Sequence, residues 1–246
     1  YQFYAFFNSS ADGGNYSPGP IVDVPAPDLK RPLLELRNRI ASTKEELAAA
    51  EARLPDDQAD WEQKMAERSG VWQTLSLTNL VSMGGSGFTN LSDGSILGVG
   101  VNPIYDTVTF DADTGLAGIT AVLLEVLPDP SLPKNGPGRW GQTGNFILDE
   151  FALSIAPLNS GVPGTLSNLF FATAVADWEQ QYYRAEHAVD RNPKTGWAIG
   201  PKFGQRHFLI AELKEPAGLS GGSRLGFKFD HYHGNSHTIG RFRVSV

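Results

Sequence analysis

The chain has 246 residues, a formal net charge of -7, no cysteine, and 41% hydrophobic against 19% charged residues. That length supports one large or two small domains with a real core, and the lack of cysteine excludes disulfides, thiolate metal sites and covalent haem attachment within this chain. The acidic balance disfavours a nucleic-acid backbone binder, and no run of about 18 apolar residues is present to span a membrane.

Residue 1 is a tyrosine and no signal peptide precedes it, so the chain is expected to be an excised piece of a larger protein. Residues 1–27 open with "YQFYAFFNSS" and pass into "ADGGNYSPGPIVDVPAP", an aromatic tail followed by an extended Gly/Pro connector. Residues 28–69 change character. Leu33, Leu36, Ile40, Leu47 and Leu54 fall on a 3-4-3-4 ladder with Thr43 and Ala50 on its smaller rungs, the spacing of a coiled-coil seam. Pro55 follows Leu54, and Asp56-Asp57 can cap a second helix carrying Trp61 and Met65. The expectation is an antiparallel helical hairpin that acts as a spacer or brace, or as an interaction site.

From residue 70 to 246 the hydrophobic period falls to two, in "TVTF", "TAVLLEVL", "FILDEFALSI", "FLIAEL", "LGFKFD" and "TIGRFRV", each bounded by turn residues. Such runs without intervening helices predict a mainly β fold, an antiparallel β-sandwich of jelly-roll type. It is expected to contain two related halves, 70–157 and 163–246. "GLAGITAVLLEVL" (115–127) aligns without gaps to "GLSGGSRLGFKFD" (218–230), and "FILDEFALS" (146–154) to "HTIGRFRVS" (237–245), with Asp93 answering Asp190 across a gap. Units of about 80 residues bury little alone, which favours one composite body.

Together, "DGSILGVGVNP", "GITAVLLEVLPDPSLP", "GNFILDEF", "AVDRNPKTGWAI" and "HTIGRFRVS" resemble the middle region of large planctomycete multidomain proteins. Those proteins carry an upstream cytochrome c segment and flanking domains of unknown function. The resemblance implies a periplasmic or cell-surface location and neighbouring domains of the parent protein as partners, with no haem in this chain. The turn "AVDRNPKTGW" is also similar to one in discoidin-type, galactose-binding-like modules, many of which bind carbohydrate. That similarity implies a structural calcium held by Asp190, Asn192 (through its carbonyl) and Thr195, a set of oxygens suited to that ion. Arg191 stands where the usual turn has Gly, and Arg241 where the last strand often supplies Glu. The alternative is a plain turn in which Asp190 bonds local N–H groups and Trp197 enters the core.

His231, His233 and His237 could hold zinc or nickel, or simply end a polar hairpin. No H-E-x-x-H, G-x-S-x-G or phosphate-cradling loop occurs, and the adjacent Asp149 and Glu150 face opposite sides of a strand, so the chain is expected not to be an enzyme. A glycan hydrolase or lyase with its acid and base on different strands is the alternative. Sugar recognition needs flat rings and planar polar groups. Arg139 and Trp140 in the long connector 128–145 supply both, "DWEQQYYR" adds Trp178, Tyr182 and Tyr183, and His231 with Tyr232 ends the equivalent loop of the second half. The expected function is a non-catalytic polysaccharide-binding module, with a structural interdomain scaffold as the rival.

Overall fold

The computed structural model describes residues 27–68, 72–158 and 166–246, with only the backbone for 61–68. The aromatic tail and most of the Gly/Pro connector lie outside the described residues. The chain divides into two compact units at Gly70/Val71.

The first unit corrects the expected hairpin. A single helix, α1, runs from Lys30 to Arg68 with Pro55 inside it. At 1.5 Å per residue its 39 residues span about 58 Å. Proline lacks the N–H that would reach the carbonyl four residues back, at Glu51, yet its fixed φ is itself helical. Glu51 is exposed, so water can solvate the released carbonyl and the helix continues. Leu36, Ile40, Leu47 and Leu54 are 54–60% exposed, which leaves the ladder without a covering layer among the described residues.

The second unit is mainly β, with thirteen short antiparallel strands among the described residues: β1 (Thr78–Ser82), β2 (Ser86–Asn90), β3 (Ile96–Gly100), β4 (Asp106–Thr114), β5 (Ile119–Val126), β6 (Ile147–Leu148), β7 (Glu150–Pro157), β8 (Ser167–Leu169), β9 (Phe171–Ala176), β10 (Trp197–Ala198), β11 (His207–Ala217), β12 (Ser223–His231) and β13 (Arg241–Ser245). They form a five-stranded sheet, β1-β4-β12-β7-β8, a six-stranded sheet, β2-β3-β13-β5-β11-β9, and the small pair β10-β6. Each large sheet mixes strands from before and after residues 159–165, which makes one composite body. Burial alternates along β4, where Val108, Phe110 and Ala112 point inward. Phe110 and Phe229 of the first sheet meet Phe242 of the second, ring centroids 5.3 Å apart, and Phe227 stacks on Phe110 at 5.1 Å. The apolar side chains of both sheets join one core. The strand expected over "FILDEFALSI" breaks at Asp149, whose buried carboxylate accepts the N–H groups of Tyr232 and His233. The break separates β6 from β7 and turns Glu150 toward a groove.

Candidate functional site

The long connector from Pro128 to Asn145 is ordered by its own backbone. Gly138 N–H donates to the Gly144 carbonyl and Gly144 N–H to that of Trp140, which closes a tight hairpin. A Cβ on Gly138 would meet the Asn145 carbonyl at 2.0 Å, so only glycine fits there. The hairpin is tied to the second half by Arg139 N–H donating to Thr238 O. Neighbours on extended chain point opposite ways. Arg139 goes inward, 7% exposed, and its guanidinium donates to Ser86 Oγ and Gly100 O, so it braces the loop and does not reach a ligand. Trp140 goes outward and stacks on His237, centroids 4.5 Å apart at 24°.

The segment after β9 supplies the facing rings. Asp177 anchors it by accepting Phe208 N–H and by pairing with the His207 ring. A turn closed by Tyr183 N–H to Gln180 O then places Tyr182 at its tip, with φ +72° and the side chain largely exposed. Trp178 is half-buried, its indole N–H donates to Gly200 O, and Lys202 Nζ lies 5.1 Å over its ring. Beneath them, Gln180 Oε1 accepts from Asn145 Nδ2 and from Gly200 N–H, a fixed amide floor. A Cβ at Gly200 would strike that oxygen at 2.5 Å.

Trp140, Trp178, Tyr182 and Tyr183 therefore line one open groove of about 810 Å³, with Phe203, Glu179 and Gln181 at its margins. Four of the seven expected ligand residues converge there. His231 does not, because it is 3% exposed with Nδ1 2.7 Å from Ile147 O. Tyr232 lies elsewhere, its hydroxyl donating to Asp230. The three imidazoles do not form one metal site: His231 is sealed in the core and His237 Nδ1 sits 2.9 Å from Gly234 O. His237 and His233 instead form a relay of rings from Trp140 to Tyr183, with centroid spacings of 4.5, 5.2 and 5.8 Å. That supporting role was missed from the sequence. So was Gln180, since nothing local marks an amide that bridges two distant loops.

The turn at 190–195 draws Asp190, Asn192 and Thr195 together. Asp190 Oδ1 accepts Asn192 N–H, and Thr195 Oγ1 lies 2.8–3.1 Å from both carboxylate oxygens and from Asn192 O. Trp197 is fully buried behind it, its N–H donating to Trp178 O. Arg191 turns away, its guanidinium 4.0 Å over the Phe170 ring. Glu150 of β7 faces this corner in a second groove of about 660 Å³, with Lys228, Asp230, Tyr232 and Arg191 among its walls. Burial raises the Glu150 carboxyl to about 7, and the charges of Asp190 and Asp230 add to the rise. Its Oε1 is buried without a hydrogen-bond partner among the described residues.

The corner at Asp93 is built alike. Asp93 Oδ1 accepts Ser95 N–H and Ser95 Oγ–H. There the facing strand residue is Arg241, which donates to Asp93 at 2.7 Å and to Ser95 Oγ, Pro128 O and Asp129 as well. The Ser95 hydrogen bonds and the Arg241 charge lower the Asp93 carboxyl to about 2.

No protein-family model matches the chain, and neither curated proteins nor solved structures contain a significant match.

Proposed function

We propose that this chain is a non-catalytic glycan-binding module. The observation that carries the reading is the convergence of Trp140, Trp178, Tyr182 and Tyr183 on one open groove above a fixed amide floor. Such rings offer apolar platforms to the C–H faces of sugars, and Glu179 and Gln181 offer acceptors and donors to hydroxyls. Affinity electrophoresis or calorimetry over a polysaccharide panel tests this. Trp140→Ala and Tyr182→Ala should each weaken binding about tenfold or more while the thermal midpoint shifts little. Retention of full affinity by both variants, or no binding to any polymer, would leave a structural interdomain module. Release of reducing ends from a bound polymer would make the chain an enzyme.

We further propose that the Asp190 corner holds a structural calcium, with Glu150 as the strand carboxylate that completes it. Asp190, Thr195 and the Asn192 carbonyl supply hard oxygens, and the orphaned Glu150 Oε1 supplies a charged one. Bound calcium would pin the turn that carries Trp197 and, through Trp178 O, the floor of the ring groove. It would take no part in a reaction.

The two halves are proposed to be related by duplication, which would make the sandwich a pseudo-twofold jelly roll. Strand pairing supports this. The ungapped alignments place Leu124 on Phe227 and Leu153 on Val244, and the observed registers pair Phe227 with Leu153 and Leu124 with Val244. Each pairing is the image of the other. By the same exchange Arg241 stands on Glu150, so the two corners are variants of one design. The resemblance to planctomycete multidomain proteins supports a parent that is exported and displays this module beside other domains.

A further inference from the structure

We propose that α1 pairs antiparallel with α1 of a second copy of this chain, the crossing centred between Ala48 and Ala49. The helix is continuous through Pro55, and its ladder is uncovered among the described residues. Leu33, Ile40, Leu47 and Leu54 occupy one seam position of the heptad, and Leu36, Thr43, Ala50 and Asp57 the other. Charges on a helix face can also be used up in ion pairs four residues apart. Among the described residues the only side-chain ion pair on α1 is Arg31–Glu35, well away from the ladder's centre.

The flanking charges choose the partner and its direction. In a parallel, in-register pair Arg39 would face Lys44 of the second copy, and Glu46 would face Glu51, so both contacts repel. An antiparallel pair centred between Ala48 and Ala49 brings Arg39 to Asp60, Lys44 to Glu51 and Glu46 to Arg53, each contact made twice by symmetry. Shifting this register by one heptad step in either direction restores like-charge contacts, such as Arg39 with Arg53 or Arg53 with itself. The same centre packs large side chains against small ones: Leu47 meets Ala50 of the second copy and Leu54 meets Thr43. Ile40 meets Asp57, the least favourable layer of the seam. Side-chain size is served by other antiparallel heptad steps as well, and the flanking charges select this one.

Analytical ultracentrifugation of the full chain over a concentration series tests this. The mass should rise from the 26.6 kDa of one chain toward twice that value. Glu46→Arg sets two Arg–Arg contacts across the crossing and should weaken the dimer about tenfold. Glu46→Arg combined with Arg53→Glu restores the attraction and should recover wild-type association. These positions are exposed, so circular dichroism should show unchanged helix content in every variant. A chain that stays monomeric at all concentrations would overturn the proposal. So would a dimer indifferent to Glu46→Arg, or one strengthened by it as the parallel arrangement requires.

Discussion

The corners at Asp93 and Asp190 share an aspartate turn, a hydroxyl donating into the carboxylate and a half-buried strand residue facing it, yet they meet opposite charges. At Asp93 the strand presents Arg241, so the corner neutralises itself and ties the connector through Pro128 and Asp129. At Asp190 it presents Glu150, so two carboxylates face each other and one is driven to take up a proton. A corner of the first kind is finished on folding. One of the second kind can take up a proton near neutral pH, so its contribution to stability changes near pH 7, where that of the Asp93 corner changes only near pH 2.

Three substitutions test that contrast. The largest effect belongs to Arg241→Ala, which removes the charged partner that Asp129, Asp93 and Ser95 share and should cost about 2–4 kcal/mol in urea unfolding. The loss should not change with calcium. Glu150→Gln comes next. Because the folded carboxyl titrates near 7 and the unfolded one near 4.5, its contribution to stability is intact below about pH 4.5 and declines as pH rises through 7. In chelator at pH 8, Glu150→Gln should therefore raise stability by about 1 kcal/mol after allowance for solvent screening, or about 2–4 °C in the midpoint. Calcium should raise the wild-type midpoint and leave that of Glu150→Gln in place. A wild-type midpoint indifferent to both chelator and pH between 5 and 8 would place the two corners on the same footing. Smallest is Thr195→Ala, which removes one hydroxyl from an exposed turn and should cost about 0.5–1 kcal/mol by thermal melting. Asp93 acts in the other direction: its lowered carboxyl stabilises the fold above about pH 4 and is lost as pH falls through 2.

Period-two strands such as "TVTF" and "LGFKFD" were legible because one face of each is buried and the alternation survives in the residue types. Pro55 misled because the cost of a mid-helix proline depends on whether the released carbonyl reaches water, and the exposure of this helix decides that. The rings of the groove were legible as aromatics stranded among turn residues. Arg139 was not, since alternation along extended chain sends adjacent Arg139 and Trp140 to opposite sides. His231 was misplaced for a similar reason: it is the last residue of β12 and faces the core, while Tyr232 faces out. Glu150 could not be read at all. Its perturbation comes from burial and from Asp190, forty residues away in the chain and brought near only by the packing of the second half against β7.

Tyr182 carries a cost of its own. A non-glycine residue held in left-handed backbone loses about 1 kcal/mol, and a phenol ring that is 78% exposed recovers little of it through burial. Glycine would relax that backbone, so any search for heat-tolerant versions of this domain should converge on replacements here that strip the ring from the turn. If the groove binds glycan as proposed, durability and recognition pull in opposite directions at a single residue.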